Sequence, residues 1–309
     1  MSGARPKALK AYGVLPDADR VIDLGDRDLG GWRPKLVATD LDGTLLNGHG
    51  EVSPRTREAL TACWDAGVPV VGVTGRGPRL LDSVRDALAG RGIAVLAQGG
   101  YVVDLERDEV LRTVGLPRDV AVRVIERIES VAGDVIVAVE DAAEQAEAHG
   151  GAEGALRVQH GFNWPYPEPA HLLPRHQVLP PGPVLKVFLR SATLGQDELL
   201  AMARTVVDPS EAEVTHAGLG FIEVLPPGIT KASGLAIALE RYGVGFGDVL
   251  VFGDMPNDLP MITAVAEAGG RTVAVANAHP AVRAAAMEVT SGHDADGVAR
   301  YLEAVLGDV

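Results

Sequence analysis

The sequence predicts an α/β protein: a mostly parallel sheet with helices on both faces, interrupted by an inserted α+β unit. Three observations lead there. Short apolar, β-favouring runs alternate with helical segments in the first hundred residues and again in the last hundred. Several of those runs end directly in turns rich in Gly, Asp or Thr. The middle of the chain breaks the rhythm with a hairpin pattern and further strands.

The elements run in order along the chain. Leu36–Thr39 reads as a strand that stops at Asp40-Leu41-Asp42-Gly43. Ser53 and Pro54 open a helix as N-cap and first helical residue, and Gly67 closes it. Val68–Val73 is a buried-type strand ending in Thr74-Gly75-Arg76-Gly77, followed by a helix to about Leu88 and a strand from Ile93 to Ala97. Tyr101–Asp104 and Val110–Val114 pattern as a hairpin, Asp119–Val131 as a helix and Gly133–Val139 as a strand. An Ala/Glu/Gly-rich stretch (Glu140–Gly154) and a proline-rich run (Asn163–Pro169) come next. Val184–Leu189 is a strand, Gln196–Val206 a helix, and Glu213–His216 and Phe221–Leu225 are strands. The alternation then returns: helix Thr230–Tyr242, strand Val249–Phe252, helix Asp258–Ala266, strand Arg271–Ala276, helix Pro280–Ala286 and a last helix to Leu306. The expected organisation is an extension over residues 1–34, a sheet domain formed by 35–98 and 215–309, and an inserted unit at 99–214.

Composition bounds the partners. Of 309 residues, 47% are apolar, enough for a full core, and only 4% are aromatic, so that core rests on Val, Leu, Ile and Ala. The net charge of −14 argues against nucleic acid and against anionic membrane surfaces. It also means that any phosphate site must supply its own positive charge. The single cysteine, Cys63, fits a reducing compartment and reads as a buried structural thiol. No run of about 18 apolar residues predicts a membrane span, and residues 1–34 lack an apolar signal segment. A cytoplasmic protein is expected, as a monomer or small homo-oligomer.

Four motifs carry chemistry. Asp40-Leu41-Asp42-Gly43-Thr44 follows an apolar strand, where parallel sheets place their ligands. Acidic side chains there need hydration, a partner or a metal; a plain capping turn is the alternative. Gly253-Asp254-Met255-Pro256-Asn257-Asp258 also follows a strand, and Asp254 and Asp258 share a helical face. With Asp40 they would offer three carboxylates to one hard cation such as Mg²⁺. Thr74-Gly75-Arg76 offers a hydroxyl and backbone N–H groups to an anion. Lys231 opens a helix, where its charge opposes the dipole unless an anion faces it.

In this order the four motifs resemble the haloacid dehalogenase (HAD) superfamily, within its branch of Cof-like phosphatases with a class IIB cap. Ile222-Glu223-Val224-Leu225-Pro226, Asn277-Ala278-His279-Pro280 and Asp296-Gly297-Val298-Ala299 also look like this branch. Gln98-Gly99-Gly100 departs from its usual Asn-Gly-Ala, and Ala276 from its usual glycine. The resemblance implies a Rossmann-like core, a cap that closes over the site, and a Mg²⁺-dependent phosphatase acting on a small phosphorylated metabolite. It implies Asp40 as nucleophile and metal ligand, and Asp42 as general acid and base whose backbone carbonyl also ligates the metal. Gly43, Thr74, Gly75, Lys231 and Asn257 would hold the phosphoryl group. Asp254 and Asp258 would complete the metal site. A phosphomutase of the same superfamily and a non-catalytic phospho-ligand-binding protein are the alternatives; a dehalogenase would need neither Asp42 nor the metal site. Cap candidates for substrate contact are Lys186, Arg190, His160, Asn163, Trp164 and Tyr166.

Overall fold

The apolar runs become two sheets in the computed structural model, which describes residues 32–141, 156–164, 170–216 and 220–307. The expectations for residues 1–31, for most of Glu140–Gly154, for the prolines of 165–169 and for Tyr166 lie outside the described residues. In chain order the elements begin β1 (Leu36–Thr39), α1 (Pro54–Asp65), β2 (Val70–Val73), α2 (Leu81–Ala87), β3 (Ile93–Leu96), β4 (Tyr101–Asp104) and β5 (Glu109–Thr113). Next are α3 (Arg118–Ala132), β6 (Val135–Asp141), β7 (Leu156–Gln159), β8 (His171–Leu173), α4 (Arg175–Val178), β9 (Val184–Ser191), α5 (Gln196–Val206), β10 (Glu213–His216) and β11 (Ile222–Leu225). The last are α6 (Lys231–Tyr242), β12 (Val249–Gly253), α7 (Leu259–Glu267), β13 (Arg271–Val275), α8 (Pro280–Ala285), β14 (Glu288–Thr290) and α9 (Gly297–Leu306).

The large sheet runs β14-β13-β12-β1-β2-β3-β4-β5. It is parallel from β14 to β3 and antiparallel beyond. β1, β2 and β3 are buried throughout, which is why they read as unbroken apolar runs. Ser53 caps α1 by accepting from the Thr56 N–H, with Pro54 in the first turn, as the sequence predicts. Cys63 is fully buried in this core, and burial pushes its thiol up to about 12.

Two expected boundaries shift. The β4–β5 hairpin, placed at 99–214 in the inserted unit, extends the large sheet: Gln98 and Gly99 take positive φ, the chain reverses, and β4 satisfies the open edge of β3. β11, placed in the core half from 215 onward, pairs instead with β9 and β10 in the second sheet. Four short elements have no counterpart in the sequence reading: β7, β8, α4 and β14. Each has three or four residues, too few for a period to register.

The second sheet runs β10-β11-β9-β6-β7-β8. Alternation along its strands sorts side chains between its faces. Val135, Val137 and Val139, Val187 and Leu189, and Ile222 and Val224 pack in one cluster with apolar residues of α3 and α5. The intervening residues Ala138 and Glu140, Lys186 and Phe188, and Phe221 and Glu223 take the other face. Register makes them neighbours: Glu140 lies opposite Lys186, Ala138 opposite Phe188, and Phe188 opposite Glu223.

The start of α6 is seated by two glycines. A Cβ on Gly234 would lie 2.4 Å from Val95 Cγ1 and 2.6 Å from Gly99 Cα. A Cβ on Gly99 would lie 2.3 Å from the Thr230 carbonyl. Thr230 caps the helix reciprocally with Ser233. Lys231 therefore enters the site from a helix end held against β3.

Gly234→Ala tests that seating. Helix propensity favours Ala by up to about 1 kcal/mol, but overpacking against backbone costs about 1–3 kcal/mol. Urea unfolding should show a net loss of stability of about 1–2 kcal/mol, and any catalytic activity should fall with it.

Candidate active site

Strand order assembles the site. β12, β1 and β2 are adjacent and parallel, with Thr39 in register with both Phe252 and Gly72. Their carboxyl ends release Asp254, Asp40 and Thr74 at one edge of the sheet. All three side chains are nearly excluded from solvent.

Asp40, Asp254 and Asp258 each offer a carboxylate oxygen, and the three oxygens lie within 4.8 Å of one another. Lys231 Nζ donates to Asp40 Oδ1 (2.6 Å) and to Asp258 Oδ1 (2.5 Å). Asp258 Oδ2 accepts from the backbone N–H groups of Asp254 (2.8 Å) and Met255 (2.9 Å). The Thr44 hydroxyl donates to Asp254 Oδ1 (2.9 Å). Gly43 has φ +79°, and a Cβ there would fall 2.5 Å from Asp254 Oδ2. Glycine is thus required both for the turn and for the approach of Asp254. Asn277, from the Asn277-Ala278-His279-Pro280 run, donates to the Gly43 carbonyl (2.8 Å).

The cluster is electrostatically unbalanced. Burial raises the Asp40 carboxyl well above its ordinary range, Lys231 pulls it back down, and Asp258, Asp254 and Asp42 add to the rise. Burial, then Asp258, raises Asp254, against Lys231 and the Thr44 hydrogen bond. Lys231 stays protonated because Asp258 and Asp40 outweigh its own desolvation. Three carboxylates around one ammonium leave room for a divalent charge. The donor set is all hard oxygen, which suits Mg²⁺, Ca²⁺ or Mn²⁺ rather than a thiolate- or imidazole-seeking metal.

In front of the cluster lies a cavity of about 290 Å³ walled by both sheets. Asp40, Asp42, Thr74, Gly75 and Asn257 reach it; Lys231 and Asp258 sit behind Asp40, each 1% exposed or less. The Asp42 side chain stands apart from the three-carboxylate cluster. It is 57% exposed and gripped by Arg76, at 2.6 and 2.9 Å. The Thr74 hydroxyl accepts from the Arg76 N–H, and the Gly75 carbonyl accepts from Lys186 Nζ (2.5 Å). Asn257 donates to Gln98 Oε1 (3.2 Å).

Among the cap candidates, Lys186 and Trp164 line the cavity. His160 and Asn163 are exposed, and Arg190 packs behind, over the Phe162 and Phe221 rings. The sequence motifs assign no role to Arg79, Gln98, Glu140, Glu223, Phe188 or Phe221. Glu223 is buried and accepts from Lys186 (2.9 Å) and Gln98 (2.8 Å). Glu140 is fully buried, ion-paired with Arg79 at 2.8 Å, and presses on Gly77, where a Cβ would fall 1.6 Å from its Oε1. The signal for Glu223 is a charged residue inside an otherwise apolar strand, Ile222-Glu223-Val224-Leu225, which demands a buried partner.

Comparison with known proteins agrees with this geometry. Residues 37–302 match the haloacid dehalogenase-like hydrolase family. The chain is 28% identical to a phosphoglycolate phosphatase of Methanothermobacter thermautotrophicus, covering 88% of this chain and 99% of that one. It is 26% identical to the pyridoxal phosphate phosphatase YbhA of Escherichia coli, covering 87% and 97%. A haloacid dehalogenase-like hydrolase from Bacteroides thetaiotaomicron superposes with TM-score 0.67 at 26% identity over 88% of this chain and 99% of its own. A Streptococcus mutans structure shares the fold at TM-score 0.73, 21% identity, over 89% and 100%. No helix among the described residues is long and apolar enough to cross a membrane.

Metal binding should show in stability without any assay of turnover. A raised carboxyl pKa in the fold stabilises most below the ordinary value of 3.8 and is lost as pH rises through the folded value. The metal-free protein therefore loses stability at Asp40 and Asp254 as pH increases. A divalent cation held there would relieve the repulsion of the ionised forms, so adding Mg²⁺ should raise Tm at pH 8 and raise it less at pH 5. An equal shift at both, or none, counts against the site.

Proposed function

This chain belongs to the haloacid dehalogenase-like hydrolase family, and from that premise we propose that it is a Mg²⁺-dependent phosphatase of small phosphorylated metabolites. One observation carries the reading: a single cavity is walled by Asp40, Asp42 and Thr74, directly in front of the three-carboxylate cluster. The phosphatase names of the relatives at 28% and 26% identity support the reaction class.

In this reading Asp40 attacks phosphorus, and the bond to the leaving oxygen breaks. Splitting the hydrolysis into two displacements lowers a barrier that is otherwise very high. Asp42 gives its proton to the leaving oxygen, then as carboxylate takes one from water. That water attacks the phosphoryl group and frees Asp40 and phosphate. Arg76 bonds both Asp42 oxygens in the structure, so Asp42 must leave that pair before it can carry the proton to the leaving oxygen. The Thr74 hydroxyl and Gly75 hold the phosphoryl oxygens, with Asn257 at the rim. Lys231 aims Asp40, and its charge favours the ionised form against burial, a fixed electrostatic element that needs no reorganisation during the reaction. Asp40, Asp254, Asp258 and the Asp42 carbonyl would hold Mg²⁺, which neutralises charge on the phosphoryl oxygens. The second sheet, with its helices, serves as a cap that shapes the far side of the cavity. The reading is of a cytoplasmic enzyme, in keeping with one buried cysteine.

Phosphate release from p-nitrophenyl phosphate tests it. Asp40→Asn should lower turnover by on the order of 10³-fold or more while leaving the circular dichroism spectrum unchanged. Chelation of divalent ions should stop the wild-type reaction, and Mg²⁺ should restore it. Near-normal activity of the pure Asp40→Asn protein would remove Asp40 from the nucleophile's role.

A further inference from the structure

We propose that Lys186, delivered by the second sheet, is a positioning residue for phosphoryl transfer: it fixes the Gly75–Arg76 peptide and, through it, the Thr74 hydroxyl. The proposal rests on the phosphatase reading and adds to it a way for the cap to act on the chemistry.

Three successive carbonyls after β2 are held in place. The Thr74 carbonyl accepts from the Gln98 N–H (3.2 Å) and the Arg76 carbonyl from the Ala97 N–H (2.7 Å), both backbone groups at the end of β3. The Gly75 carbonyl between them accepts instead from Lys186 Nζ (2.5 Å), a side chain of β9. A peptide unit is planar and trans, so holding its carbonyl also sets the opposite direction of its N–H. The N–H of this peptide belongs to Arg76, and it donates to Thr74 Oγ1 (3.1 Å). A hydroxyl has a single proton to give. With Oγ1 accepting from Arg76, that proton is left for an oxygen of the phosphoryl group in the cavity that Thr74 lines.

Lys186 is built in rather than laid on. It is 2% exposed, and a buried cation is costly unless it is paired. Glu223 Oε1 accepts from it (2.9 Å), while Glu223 Oε2 accepts from Gln98 Nε2 (2.8 Å). Gln98 in turn bounds Gly75 from its other side: a Cβ on Gly75 would fall 2.8 Å from that same Nε2. One carboxylate of the second sheet thus aims both side chains that confine Gly75. The Arg79–Glu140 pair (2.8 Å) already ties the second sheet to this loop. Lys186 differs from that tie in where it ends, on the peptide whose N–H meets Thr74. Moving the second sheet away would withdraw Nζ, free the peptide to rotate and leave the hydroxyl without a fixed direction. Turnover is then coupled to the seating of the cap.

A double-mutant cycle with p-nitrophenyl phosphate and Mg²⁺ tests this. Lys186→Met keeps the aliphatic stem and removes the donor. It should lower kcat by about 10- to 100-fold, the cost of a misplaced group, and change KM by less than about threefold. Thr74→Val, which removes the hydroxyl, should lower kcat by on the order of 100-fold. In the Thr74→Val background, Lys186→Met should cost less than about twofold, because the group it directs is gone. A mere tether between the sheets would cost the same factor in both backgrounds. Circular dichroism checks each variant's fold. Should Lys186→Met fail to fold, the pair Lys186→Met with Glu223→Gln removes both charges together, and is compared with Glu223→Gln alone in the same two backgrounds. A kcat within about twofold of the reference protein, or an equal loss with and without the Thr74 hydroxyl, overturns this proposal and leaves the phosphatase reading standing. If the wild-type protein releases no phosphate, the phosphatase reading falls and this one with it.

Discussion

A single buried ammonium among three carboxylates is the constraint on which the rest depends. Lys231 touches Asp40 and Asp258, and Asp254 adjoins both, with all four side chains buried. Removing one partner from a buried ion pair is far more damaging than never having built it. So every element that delivers one of these groups must stop in the right place. Gly43 turns the chain after β1, the Thr230–Ser233 reciprocal cap starts α6 at Lys231, and backbone N–H groups after β12 hold Asp258. The surplus negative charge then has one simple remedy, a hard divalent cation, and a phosphoryl group brings the oxygen atoms such a cation prefers.

The large sheet and the smaller one contribute by different periodicities. In the large sheet, three neighbouring parallel strands end at one edge, so residues more than two hundred positions apart meet there. In the second sheet, alternation does the sorting: every other residue of β6 and β9 belongs to the face that looks onto the cavity, and Phe221 and Glu223 join them. A slip of one residue in either strand pairing would send Lys186 and Phe188 into the helix-packed cluster and bring valines out.

Much of this is legible in the sequence, and the reason is local. Asp40-Leu41-Asp42-Gly43 and Gly253-Asp254 follow apolar strands at once, so strand, turn and acidic group sit in one short window. Lys231 is readable because a cation at a helix start runs against the dipole. The far wall is not readable in the same way. Arg79, Glu140 and Gln98 acquire meaning only through partners 61 to 159 residues away in sequence. The hairpin of β4 and β5 is misplaced by its sequence because the pattern specifies a hairpin but not which sheet edge it joins. β11 is misplaced for the same reason: its apolar run suits either sheet, and only pairing with β9 decides.

The fit of Glu140 against Gly77 has a consequence for descent. The carboxylate occupies the volume that any other side chain at position 77 would need, and Arg79 meets the same carboxylate two residues on. Loop and insertion are therefore interlocked parts. A lineage that acquired a different insertion by recombination would inherit a glycine with nothing to admit and an arginine facing a stranger. Where the insertion diverges among relatives, positions 77 and 79 should drift in step with it, while the residues around Lys231 stay still.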